Sequence, residues 1–180
     1  SEDYPMNIHT LPLLLTTPAA LAANTAQAAA TGTLRFTGQI NAGTCNLVGG
    51  DVNRTVTLPT VKMSDFDSAP SAGTFDFEIT ADCESDISNV TFLFAGTSSA
   101  GNPALFANTG TSKGTGLWLA HHASPVYPIP ADGTPAQRSR KVAASKGKAV
   151  LPLTAAYHKT GAKLSHGTLA SAVTVSITYN

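Results

Sequence analysis

Cys45 and Cys83 are the only cysteines in the 180-residue chain and lie 38 positions apart. No CxxC pair occurs, and no Cys/His grouping has zinc spacing. One disulfide or two free thiols remain. The apolar leader described below favours the disulfide, which persists on an oxidising secretory route. Closing a loop of that length contributes roughly 3–4 kcal/mol. His121-His122 invites a metal reading, but neighbours on a strand point to opposite faces and do not readily share one ion. Serine, histidine and aspartate are all present, yet no glycine elbow frames any serine as a nucleophile. The chain is therefore expected to be no enzyme and to hold no metal or cofactor. Asp65, Asp67, Asp82, Glu84 and Asp86 form an acidic region, and Arg138, Arg140, Lys141, Lys146 and Lys148 a basic one. Both read as solvated loops; the rival reading is charge complementarity between stacked copies. Trp118 reads as core, with an exposed sugar-stacking platform as the alternative.

The elements that carry these residues follow from composition and period. Only 12% of residues are charged, about half the usual fraction near 25%, and 11 basic residues balance 11 acidic ones. A neutral surface lacks the electrostatic footprint of a nucleic-acid binder. Thr, Ser, Ala and Gly stand where charge is missing. That suits a secreted β protein, and equally a surface that spends its life against copies of itself. The length leaves room for one domain with a real core.

Residues 1–28 resemble a secretory signal peptide. Leu11, Leu13, Leu14, Leu15 and Ala19 to Ala22 make an apolar run too short to span a bilayer. Ala20-Leu21-Ala22 and Ala26-Gln27-Ala28 offer small-x-small cleavage sites. No Lys or Arg precedes the run, and Met6 is the natural start if residues 1–5 are extraneous. From Cys45 onward, short β-type runs alternate with turn residues: 45–48, 52–58, 75–83, 90–94, 104–106, 116–120, 126–129, 151–157 and 173–179. Residues 130–147 read as a turn-rich connection. Phe75, Phe77, Ile79, Ala81 and Cys83 point one way while Asp76, Glu78, Thr80 and Asp82 point the other, so one face meets a core and one meets water. Such spacing predicts an all-β fold, a sandwich of immunoglobulin type.

Residues 34–40 stand apart from that body. Leu34, Phe36 and Ile40 fall on every second position, the mark of a strand that buries one face. Gly38 interrupts the row where a fourth large side chain would sit, which signals close approach or a shallow pocket. On pattern alone the segment is either the domain's own first strand or a strand made for another molecule.

Four local matches together resemble the subunits of chaperone–usher fimbriae, closest to major type 1-like pilins. Leu34-x-Phe36-x-Gly38-x-Ile40 matches that family's donor motif. Cys45 and Cys83, the latter in Ala81-Asp82-Cys83, match its single disulfide. Leu151-Pro152-Leu153-Thr154-Ala155-Ala156-Tyr157-x-x-Thr160-Gly161 resembles its penultimate strand. Gly167, fourteenth from the end, and Tyr179, the penultimate residue, follow its C-terminal pattern. The resemblance spans about residues 28–180.

It implies an immunoglobulin-like sandwich lacking its last strand, with residues 29–42 as a donor extension and 43–180 as the incomplete domain. Leu34, Phe36, Gly38 and Ile40 would be the donor residues. Gly167, Val173, Val175, Ile177 and Tyr179 would belong to the acceptor groove and the strand that pairs with a chaperone. The implied partners are further copies of the chain, a periplasmic chaperone and an outer-membrane usher, with a host surface or glycan beyond them. The implied location is an extracellular fimbrium reached through the periplasm. Burying Leu34, Phe36 and Ile40 at about 1.5–3 kcal/mol each offers roughly 5–9 kcal/mol before entropy, against a typical domain stability of about 5–15 kcal/mol. A sandwich without that strand is expected to be marginal and its open edge prone to aggregation. The runner-up is a minor tip or adaptor subunit that binds a host glycan. A tip adhesin of this family adds a lectin domain and lacks the extension, and the chain is too short for two domains. A secreted sandwich enzyme, the third reading, lacks a catalytic grouping.

Overall fold

The computed structural model describes residues 33–180; the leader expected at 1–28 lies outside the described residues. Residues 40–180 form one compact unit, and residues 33–39 belong to another. Eight strands follow in order: β1 (Cys45–Leu47), β2 (Ser71–Cys83), β3 (Asn89–Gly96), β4 (Thr115–His121), β5 (Tyr127–Pro128), β6 (Ser139–Ala143), β7 (Lys148–Lys159) and β8 (Val173–Tyr179). A single helical turn, α1 (Gly49–Val52), and a 3₁₀ turn at Met63–Phe66 separate β1 from β2. The strands make two antiparallel sheets, ordered β1-β2-β7-β4-β5 and β6-β3-β8.

Alternation along each central strand decides what is buried. Val90, Phe92 and Phe94 of β3 meet Ile79 and Ala81 of β2, Leu119 of β4, and Leu151, Leu153 and Ala155 of β7 in one core. Each fully buried side chain of this size is worth about 1.5–3 kcal/mol, so the core is what holds the two sheets face to face. The loop after β3 adds Leu105 and Phe106, both fully buried.

β1 and β2 are stapled at their shared end. The ladder sets Cys45 directly opposite Cys83, and the two form a disulfide with their Cα atoms 4.1 Å apart. The pair is flanked by the bond from the Glu84 N–H to the Thr44 carbonyl, which makes it a non-hydrogen-bonded pair, the closer of the two antiparallel spacings. Cys45 is buried and Cys83 half-buried. Just upstream, a Cβ on Gly43 would lie 2.1 Å from the Asp86 carboxylate and 2.6 Å from that of Glu84, so both side chains would have to shift to admit one.

Several local expectations are revised. Residues 52–58 form no strand; Val52 ends α1 and 53–62 carry no ladder. The edge of β2 that they would pair with is already occupied by side chains described below. Residues 104–106 contribute only isolated bridges, Phe106 to Ser98 and to Leu117. The supposed turn-rich stretch contains β6, in which Val142 and Arg140 share the inward face opposite Val90 and Phe92, so an arginine at an inward position hid the strand. Charged residues on an edge strand discourage stray pairing. Trp118 is half-buried rather than core. It alternates with the inward Leu117 and Leu119 and therefore occupies the other face of its sheet, across from Ala156.

Candidate functional site

The C-terminal strand is an edge. β8 pairs with β3 on one side and ends its sheet on the other. Its sequence, Val-Thr-Val-Ser-Ile-Thr-Tyr, alternates strictly. Val173, Val175 and Ile177 are half-buried and pack on the core, while Thr174, Ser176 and Thr178 are exposed. No residue of β8 is fully buried, although three of them point inward.

The backbone is phased with the side chains. Asn180 and Asn89 exchange both of their backbone hydrogen bonds, each 3.1 Å. Counting back in twos along an antiparallel ladder, Thr178, Ser176 and Thr174 bond to β3. Val173, Val175, Ile177 and Tyr179 therefore turn their N–H and C=O groups to the free edge. Among the described residues no loop and no side chain bonds to them. The same four residues thus present unpaired backbone groups, and three of them also present apolar side chains. β1, the edge strand of the other sheet, lies beside β8 on this side, and Leu47, Leu58 and Cys83 are partly buried against the core along with the β8 residues. Such an arrangement accepts an extended chain: backbone groups give the ladder and alternate side chains give the specificity.

Gly167, grouped with this strand by its place in the sequence, lies ahead of β8. It has φ of +143°, and a Cβ there would lie 2.4 Å from the Ser112 nitrogen. Its role is local. Residues 165–170 zip onto 108–113, Thr168 bonding both ways with Thr111 and Asn108 bonding to Ser112, Thr168 and Ala170. That ladder fixes the approach of the chain to β8.

Of the proposed donor residues, Leu34, Phe36 and Gly38 lie in the other unit and Ile40 is the first residue of the sandwich unit. Residues 33–40 carry no strand. Leu34 is 82% exposed, Phe36 89% and Ile40 100%. A Cβ built on Gly38 meets nothing within 4 Å.

The opposite side of the sandwich is closed. Arg140 on β6 sends its terminal guanidinium nitrogens to the carbonyls of Gln137, Ser139, Tyr127 and Pro128, so it joins the edge of one sheet to that of the other. Arg138 donates to the carbonyls of Phe94 and Gly133. A cavity of about 540 Å³ beside this latch is lined by His121, Tyr127, Pro128, Pro130, Gln137 and Arg140. Both terminal nitrogens of Arg140 are engaged by these carbonyls, whereas its buried Nε–H has no hydrogen-bond partner among the described residues. Burial, and then the charges of Arg140 and His122, hold the His121 imidazole below its ordinary value. His122 instead faces Asp76, with Nδ1 2.9 Å from Oδ1. The Thr154 hydroxyl and then His122 hold that carboxyl below the usual carboxylate range. The two histidines thus take different partners, and among the described residues no group of three or more potential ligands converges on a metal. The acidic and basic regions are also partly spent inside the chain. Lys148 pairs with Asp82 at 2.6 Å across the β2–β7 ladder, and Asp86 accepts from the Gly43 N–H.

Residues 34–180 match the model of a family described as fimbrial protein. Among solved structures, the chain is similar to one from a chaperone–usher pilus, 18% identical, covering 85% of this chain and 98% of that one with a TM-score of 0.62. The P pilus rod subunit PapA is 18% identical over 76% of this chain and 99% of its own, TM-score 0.61. The CupB6 tip adhesin from Pseudomonas aeruginosa is 23% identical over 74% of this chain and only 38% of its own, TM-score 0.57. No curated protein matches the sequence.

Proposed function

Because this chain belongs to the fimbrial protein family, a family of structural pilus subunits and not of enzymes, we propose that it builds an extracellular fimbria by donor-strand exchange. The acceptor is β8, and the donor is residues 34–40 of the next copy. Leu34, Phe36 and Ile40 enter the apolar side of the β8 edge, and Gly38 passes over its shallowest point. A periplasmic chaperone holds the same edge during export, and an outer-membrane usher exchanges it for the donor. We assign the chain to the rod rather than to the tip.

One observation carries the reading: four residues of β8 combine unpaired backbone groups with a row of inward apolar side chains. The exposure of Leu34, Phe36 and Ile40 supplies a matching apolar strand with the same period. Electron microscopy of cells with and without the gene product tests the assignment. Loss of the surface fibres is expected; unchanged fibres would overturn it for the rod.

A further inference from the structure

β2 also has an edge that an incoming strand could pair with, because β1 covers only its last residues. The ladder runs Cys45 to Cys83, Asn46 to Asp82 and Leu47 to Ala81, and the Val48 N–H adds a bond to the Thr80 carbonyl at 3.0 Å. There the chain turns into α1 and leaves. Two side chains continue the pairing. The Asp51 carboxylate accepts from the Thr80 N–H at 2.8 Å, and the Arg54 guanidinium donates to the Glu78 carbonyl. Asp51 and Arg54 are themselves paired at 3.0 Å, with the Asp51 side chain only 7% exposed. Arg54 also lies over the Phe77 ring, 5.6 Å from its centroid, which holds it flat along the edge.

We propose that Asp51 and Arg54 are specificity-determining residues: they cap the β2 edge with side chains and so direct an incoming strand to β8 alone. The inference rests on the donor-strand reading for the identity of that strand. An N–H and a C=O already held by charged partners offer nothing to a new ladder, since charge-assisted bonds are the stronger kind. On β8 the corresponding groups are bare. A free edge pairs with whatever strand reaches it, so two free edges in one subunit would permit off-axis assembly.

The test uses the full chain at low concentration with excess synthetic peptide of residues 33–41. Native mass spectrometry reads the number of peptides bound, and amide exchange is followed at Thr80 and Val175. Wild type is expected to bind one peptide, slowing Val175, with Thr80 slow throughout. Asp51→Ala is expected to exchange Thr80 about tenfold faster or more, the factor that about 1.4 kcal/mol represents, and to take up a second peptide. Asp51→Asn keeps an acceptor oxygen and should restore the single peptide. Arg54→Ala leaves the Asp51 bond to Thr80 in place and should shift the stoichiometry the same way, so a misfolded Asp51→Ala does not end the test. One peptide on both alanine variants, with Thr80 as slow as in wild type, overturns the proposal. No peptide on wild type overturns the donor reading instead. In that case Thr80 exchange and self-association of the variants still decide the cap: faster and greater supports it, unchanged refutes it.

Discussion

Replacing Gly38 by tryptophan separates the two halves of the assembly step. Within its own chain the substitution meets open space, since a Cβ at this position has no neighbour within 4 Å, and the flanking Leu34, Phe36 and Ile40 are themselves exposed. The expected cost to the subunit's own stability is therefore close to nothing. On the proposed donor reading the indole has to displace the floor of the next copy's groove, and overpacking of a filled site costs about 1–3 kcal/mol. That is a large share of the roughly 5–9 kcal/mol that the three apolar donors offer, and it weakens the joint by about fivefold to 150-fold. The assay mixes chaperone-bound Gly38→Trp donor with wild-type acceptor and follows polymer on gels. Normal folding with blocked polymerisation is expected. A variant that misfolds alone while its polymerisation stays normal would refute the reasoning, because Gly38 would then belong to its own sandwich.

Truncating residues 177–180 removes the Asn180–Asn89 bonds and two of the four free-edge residues; the subunit should fail to accumulate in the periplasm, and normal accumulation with intact fibres would sink the scheme. Cys45→Ser with Cys83→Ser should lower unfolding stability by roughly 3–4 kcal/mol, read from denaturant midpoints at constant slope, whereas a change below about 1 kcal/mol would mean the unfolded chain is not constrained by this loop. His121 titrates below its ordinary 6.5 in the fold, so the unfolded chain takes the proton first. The stability it contributes is present above about pH 6.5 and is lost as pH falls below that value. Midpoints followed from about pH 7.5 to about pH 5 should drop in wild type and flatten in His121→Gln; equal slopes would place the effect on another group.

Much of this molecule is legible from period alone, and the failures share a cause. β2, β3, β7 and β8 were readable because each buries one face, so that Phe92 and Phe94, or Leu151 and Leu153, must recur at every second residue. The disulfide was favoured by the oxidising route the leader implies and by the family resemblance; period adds only that Cys83 falls in phase with Ile79 and Ala81. Period missed β6 because of the two inward positions of that edge strand only Val142 is apolar, the other being Arg140. It overreached at residues 52–58, where Val52, Val56 and Leu58 keep the period but Asp51 and Arg54 have taken the backbone partners. It misplaced Trp118, since size alone does not say which face of a sheet a residue occupies. Pattern reports what a side chain wants to bury, whereas a ladder also requires a free partner.

That distinction explains why the edges of this sandwich are so unequal. A head-to-tail contact that does not close on itself generates an open filament, and a filament stays unbranched only if each subunit has one acceptor. The β5–β6 side is latched by Arg140, whose partly buried cation is held among carbonyls of both sheets. Burial lowers its pKa, so the latch costs desolvation that the carbonyl bonds must offset. The β2 edge is covered by a carboxylate and a second guanidinium. Against that background the bare N–H and C=O groups of Val173, Val175, Ile177 and Tyr179 are not a general looseness of the fold. With three half-buried apolar side chains beside them, they are, on the proposed reading, the one edge this fold leaves for another strand to complete.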